Sequence, residues 1–322
     1  MPEKRSDKKR RKDFHKMPSF EEMKAFEESC RNDFFAGLNQ QEIKYENYSA
    51  KSPTCYSDQS VLVGAFLART RALKKYIPRH PEIRPAVVVP GICPLYIMAA
   101  ENRATDIGPY NAIGAGFVIK EPNHIGLVSP LDLIPGFELI RQMAIKRKRH
   151  DFVWRIADDS YISYKLGYEF FGMPKFRCDV YWEEKEDHIL CSAVDDGELI
   201  MRLRARKIRT RTFENPVPQY SRAYFMRDRI PMTEEVISQA GKMGASVKAG
   251  DLVLELGERH PMAEELREVL VSTRPLLYLY MEDSRSIIYE PGRWAEDVLF
   301  QLMDLHHQGK EGDKTRRSAQ KA

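Results

Sequence analysis

HILCSAVDDGELIMRLRARKI, residues 188–208, holds two alternating runs on either side of an Asp-Gly step. A period of two places successive side chains on opposite faces of a strand, and Asp-Gly suits the left-handed positions of a tight turn, so the stretch reads as a β-hairpin. In its second strand Leu199, Met201, Leu203 and Ala205 fall on one face and Arg202, Arg204 and Arg206 on the other. Arginines in a row can grip carboxylates, but such alternation ordinarily means one buried face and one wet face, and the row is read that way.

Moving outward, strand-like runs recur: SVLVGAFL from Ser60, PAVVV from Pro85, YNAIGAGFVI from Tyr110, HDFVWRIA from His150 and FRCDVYW from Phe176. The chain is β-rich. Helical spacing appears near residue 20, where Ser19 and Glu22 make a capping box beside Phe20, Met23 and Phe26, and again over 233–242 and 262–270. The acidic pairs Asp158/Asp159 and Asp195/Asp196 sit between strand-like runs and read as turn residues. The organisation expected is a disordered basic tail over 1–16, an N-terminal helical extension over 17–56, one domain over 57–305, and a disordered tail over 306–322.

With 322 residues, of which 43% are hydrophobic, the chain can bury a substantial core. No apolar run reaches the roughly 18 residues a membrane helix needs, and the first sixteen residues have no apolar core of the kind a secretory signal requires. The expectation is a cytoplasmic protein with no membrane partner. Five scattered cysteines without a CxxC pair disfavour a disulfide framework and a structural zinc site, and no HExxH occurs, so no metal is expected. The basic ends carry +5 and +3 of a net charge of +4, which leaves the body at −4. An acidic body is a poor surface for phosphate neutralisation, so no specific nucleic-acid partner is expected. GxSxG, P-loop and GxGxxG signatures are absent.

Lys175, in EFFGMPKFRCDVYW (169–182), lies between Pro174 and Phe176 with Phe170, Phe171 and Met173 nearby. An amine attacks a ketone only when neutral, and an ordinary lysine with a pKa of about 10.4 lies about 4.6 kcal/mol from neutrality at pH 7. Dehydration or a neighbouring cation lowers that barrier. The aromatic company of Lys175 is suited to drying it, and Arg177, one strand period on, is a candidate for the neighbouring charge.

IADDSYISYKLGYEFFGMPKF (156–176), followed by DVYWEEKEDHILCSAVDDGELIMRLRARK (179–207), resembles the acetoacetate decarboxylase family. The matching parts are Asp158/Asp159, the apolar run Tyr161 to Leu166, Gly167, Glu169, Pro174 and Lys175, and the likeness extends over about residues 57–290. It implies an α+β fold built on a closed, cone-shaped antiparallel β-barrel with flanking helices, Lys175 as the imine-forming catalytic residue, a small keto-acid substrate, no cofactor and a homo-oligomer. By the same matching the family's two pocket glutamates fall on Tyr96 and Ala112, its pocket arginine on Gln59, and its second lysine on Phe176. The expected pocket is therefore Gln59, Tyr96, Tyr110, Ala112 and Met173, with Tyr96 and Tyr110 as possible proton donors. Decarboxylation of a β-keto acid is the leading expectation. An aldolase-dehydratase acting on 2-keto acids through the same lysine and a non-catalytic small-molecule binder are the alternatives.

Overall fold

The computed structural model describes residues 34–78, 80, 83–120, 142 and 148–293. The helix expected near residue 20 and both charged ends lie outside them. The strands are β1 (Gln41–Tyr45), β2 (Tyr48–Ser52), β3 (Thr54–Arg69), β4 (Ile92–Thr105), β5 (Tyr110–Val118), β6 (Lys148–Asp158), β7 (Lys175–Arg177) and β8 (Asp179–Glu184). They continue as β9 (His188–Asp195), β10 (Glu198–Arg206), β11 (Arg211–Thr212), β12 (Gln219–Arg227), β13 (Ile230–Ser246), β14 (Leu252–Leu256), β15 (Leu277–Ile288) and β16 (Gly292–Arg293). Among the described residues three helical segments accompany them: α1 (Thr70–Leu73), α2 (Tyr161–Tyr164) with a wider-wound continuation over Lys165–Phe170, and α3 (Pro261–Val269).

The hairpin at 188–208 forms as expected, with β9 against β10 and Asp196 and Gly197 at φ 48° and 79° in the turn. Both left-handed positions are those that a two-residue hairpin turn demands. Arg204 and Arg206 are exposed, and Arg202 donates to Glu255 and Ser192, so the arginine face is the wet one. α3 also forms where the sequence placed it, its first turn capped by His260, which accepts from the Met262 amide.

β3, β4, β5, β6, β12, β13 and β15 pair in that order, and β15 returns to β3, so the strands close a ring. Closure leaves no long unpaired edge. Every junction of the ring is antiparallel except β6 with β12, which run parallel, and this corrects the expectation of a purely antiparallel sheet. A second, four-stranded sheet, β14-β10-β9-β8, lies against the ring. Leu62, Phe66, Leu95, Ile97, Ile113, Phe117 and Trp154 of the ring share one buried cluster with Val180, Cys191, Met201 and Leu203 of the second sheet and Leu266 of α3. Each such large side chain contributes about 1.5–3 kcal/mol of burial free energy.

A four-stranded sheet cannot sit inside a ring of seven, so the faces meeting it are the outer ones. Alternation then turns two neighbouring cross-strand rows toward the interior, Gln59–Asn102–Tyr110 and Ala100–Ala112–Asp158.

Three further expectations, on secondary structure, fail in the described residues. Residues 41–52 are not helical; they form the β1–β2 hairpin, with Ile43 and Ala50 paired and both buried. The stretch 233–242 belongs to β13, because Met232, Thr233 and Glu234 are all buried and a strand buried on both faces loses the alternation that would identify it. PAVVV makes only isolated bridges, at Pro85 and Val89, since Pro85 and Pro90 cannot donate to a ladder. Among the described residues no helix is long and apolar enough to cross a membrane.

Candidate active site

Lys175 reaches the interior because two strands share one edge of β6. β12 pairs with residues 148–152 and then departs, and β7 takes up residues 156–158, with Lys175 opposite Ile156. The chain between them is tightly wound. Ser160 caps α2 by accepting from the Ser163 amide at 3.1 Å, and past Tyr164 the helix widens, with the Phe171 amide donating to Leu166 O five residues back. Wide turns of this kind recur at functional sites. They carry Gly167 onto the lysine: a Cβ there would stand 2.6 Å from Lys175 Cδ and 2.8 Å from Cε. Only glycine permits that approach.

Lys175 Nζ donates to Ser163 Oγ at 2.7 Å and to Asp158 Oδ2 at 3.2 Å, and Ser163 Oγ donates to the same Oδ2 at 2.8 Å. The lysine side chain is 10% exposed and that of Asp158 is fully buried. Asp158 is therefore no turn residue; it ends β6 with its carboxylate inside the ring and its Oδ1 without a hydrogen-bond partner. Asp159, the turn neighbour, holds the Asn111 amide at 2.8 Å.

Burial pushes the Lys175 ammonium toward neutrality, but Tyr110, Asp158 and Glu234 pull the other way, and together they leave its pKa above the ordinary value. This overturns the expectation of an amine made neutral by dryness alone. The desolvation is present, yet Tyr110, Asp158 and Glu234 together outweigh it. Glu234, on β13, is itself buried, and desolvation pushes its carboxyl up to about 8 against the opposing pull of Lys175. Near neutral pH it is a protonated acid facing the lysine's end of the ring.

The pocket residues expected from sequence divide into two groups. Tyr110 lies beside the lysine, its ring centre 5.8 Å from Nζ and its hydroxyl 2.9 Å from that of Tyr56. Ala112 is the direct neighbour of Asp158 on β5, where a larger residue would crowd the carboxylate. Gln59 is buried in the same interior and locked by Asn102 at 2.5 Å and by Ser286, which donates to it at 2.9 Å. Met173 shapes the approach to β7 through its backbone, accepting from the Lys175 amide at 2.7 Å. Tyr96 stands apart, under the Arg149 guanidinium, with Cζ 5.5 Å from its ring centre.

Arg177 does not join the lysine. It is exposed, with its guanidinium 5.6 Å from the ring centre of Tyr161. Phe176 packs against the outer core, and Glu169 bonds Lys165 and the Tyr45 hydroxyl. A cleft of about 590 Å³ on this side is lined by Tyr161, Tyr164, Tyr168, Arg155 and Arg177 and includes Lys175 in its wall. Sequence reasoning missed Ser163 and Glu234 altogether. The only available signal was for Asp158, which prolongs the alternating run HDFVWRIA by one residue.

No protein-family model and no curated protein matches the sequence. Solved structures match its fold. An acetoacetate decarboxylase from Legionella pneumophila subsp. pneumophila str. Philadelphia 1 is 13% identical, with a TM-score of 0.50 over 82% of this chain and 94% of that one. A further acetoacetate decarboxylase structure is 13% identical, with a TM-score of 0.48 over 75% and 88%. The enduracididine biosynthesis enzyme MppR complexed with pyruvate is 12% identical, with a TM-score of 0.42 over 79% and 90%. At its identity the Legionella match establishes a shared fold and says nothing of the chemistry.

Proposed function

We propose that this chain, which has the fold of acetoacetate decarboxylase, is an enzyme that joins Lys175 covalently to the carbonyl carbon of a keto acid and uses the resulting imine to cleave a carbon–carbon bond. The observation that carries the reading is a lysine inside the ring, 10% exposed and in contact with a buried Asp158 and Ser163. A surface lysine has no reason to be so placed.

The same triangle supplies a route for the chemistry. Passing a proton from Nζ to Asp158, directly or through Ser163, turns an ion pair into a neutral amine and a neutral acid, and the neutral amine is the form that adds to a carbonyl. The freed amine adds to the carbonyl, water leaves, and the iminium nitrogen carries the positive charge that Asp158 again balances. In a β-keto acid the electron pair of the bond to the carboxylate flows into the iminium, CO₂ departs, and an enamine remains. Protonation of the enamine carbon and hydrolysis return the amine. Glu234, held as a neutral acid up to about pH 8, is suited to give that proton. It is equally suited to protonate a departing hydroxyl, which keeps aldol addition and dehydration of a 2-keto acid as the second reading. Ala112, Tyr96 and Gln59, where the family carries charged groups, favour a substrate other than acetoacetate. A cytoplasmic homo-oligomer belongs to the same proposal.

Turnover of a panel of β-keto and 2-keto acids by the wild-type protein and by Lys175→Ala tests the reading. Release of CO₂ abolished by the substitution supports decarboxylation, and condensation without CO₂ supports the second reading. No turnover of any keto acid leaves a small-molecule binder in its place.

A further inference from the structure

A second polar cluster lies on the inner face of the ring, and the chemistry above makes no use of it. Arg149 and Asp151 on β6 alternate with the outward His150 and Phe152, and Asp151 opposes Ala223, itself opposite the inward Glu234. Arg149 Nε donates to Asp151 Oδ2 at 2.5 Å, and the guanidinium lies over the ring of Tyr96. Tyr96 can lie there because its strand neighbour is Gly116, where a Cβ would collide with the phenol. Asp151 is buried with its other oxygen unpartnered, so its charge serves Arg149 alone.

The result is a guanidinium fixed through Nε and its flat face. Its two terminal nitrogens have no partner among the described residues, and 42% of the side chain is exposed. Such a fork matches the two oxygens of a carboxylate. Between it and the lysine the inner face carries Met98, Gly114, Val153 and Ile156, which are apolar. Met98 keeps 41% of its surface exposed although it points into the ring, so the interior there is open. Arg149 lies seven residues along β6 from Ile156, the partner of Lys175, a strand length of about 20 Å.

We propose that Arg149, aimed by Asp151 and Tyr96, is a carboxylate-binding site on the inner face of the ring, set along β6 from Lys175. The ligand it takes is an elongated acid with an apolar chain. If Lys175 forms an imine as read above, the substrate class narrows to keto acids in which an anchoring carboxylate is separated from the reacting carbonyl by several carbons. A compact acid such as acetoacetate fits that backbone spacing less well than an elongated one. Tyr96, expected from sequence as a pocket residue, then acts as a positioning residue for the arginine.

Decanoate is a direct probe, because it has the carboxylate and the chain but no carbonyl and so reports on Arg149 whether or not Lys175 forms an imine. In calorimetric titration of the wild-type protein, decanoate is expected to bind about 10- to 100-fold more tightly than decanamide, the range for losing a charge-assisted contact. Butanoate is expected to bind no better than decanamide, and Arg149→Met to lose the preference for the acid. The comparison of acid and amide needs no variant, so it stands even if Arg149→Met folds poorly. Equal binding of decanoate and decanamide, a preference retained in Arg149→Met, or no decanoate binding at all would overturn the proposal.

Discussion

Lys175 Nζ lies 3.2 Å from Asp158 Oδ2 in the interior of the ring, with Ser163 Oγ hydrogen-bonded to both. The pair is buried from both sides, and the consequences of separating it are specific. Lys175→Met leaves an unbalanced carboxylate in a dry interior, and the expected loss of stability is about 3–5 kcal/mol. Lys175→Met with Asp158→Asn removes both charges and is expected to regain most of that loss. Urea unfolding of the two variants beside wild type checks it.

Asp158→Asn alone tests which group keeps the lysine charged. Asp158 contributes to holding the ammonium pKa above its ordinary value, so neutralising it lowers that pKa and frees the amine at lower pH. The pH profile for acylation of Lys175, followed by peptide mass mapping, is expected to shift toward acid. An unmoved profile assigns the shift to another group.

Glu234 makes stability fall with pH. Its carboxyl titrates near 4.5 in the unfolded chain and at about 8 in the folded one, so between these values the native state holds the extra proton. Stability therefore declines as pH rises through that window and levels off above it. Glu234→Gln removes the effect and is expected to gain about 3–5 kcal/mol on wild type between pH 4 and pH 9. Thermal or urea unfolding across the pH range reads it.

Gly167→Ala presses a methyl group against Cδ and Cε of Lys175. The side chain or the wide helical turn must shift, at a cost of about 1–3 kcal/mol. Because the shift displaces Nζ from Ser163 and Asp158, reaction of Lys175 with keto acids is expected to fall at least tenfold while the protein remains folded, as single-turnover trapping checked by circular dichroism can establish.

What the sequence made legible followed from local rules. The hairpin at 188–208 was readable from Asp196-Gly197 and its alternation, and α3 from its helical spacing around Met262 and Leu266. The burial of Lys175 was suggested only by the aromatic residues around it and the order of its neighbours. The lysine's electrostatics were not, because Asp158 resembles a turn residue when followed by Asp159 and Ser160, and nothing local says that β7 will bring a lysine to it. Glu234 lies 59 residues beyond Lys175, and ring closure alone sets it facing that end of the interior. Its strand escaped recognition because Met232, Thr233 and Glu234 are buried in succession, so that part of it carries no period of two. Arg149 and Tyr96 meet across β5, a contact that Gly116 permits and that no single segment announces.

The central claim is that Lys175 is the residue that bonds to the substrate. Incubating the wild-type protein with β-keto and 2-keto acids, reducing with borohydride and mapping the peptides by mass tests it most directly. A reduced secondary-amine adduct on the peptide carrying Lys175, absent in Lys175→Ala, is the predicted result. Absence of any adduct there, or an adduct confined to another lysine, contradicts the account.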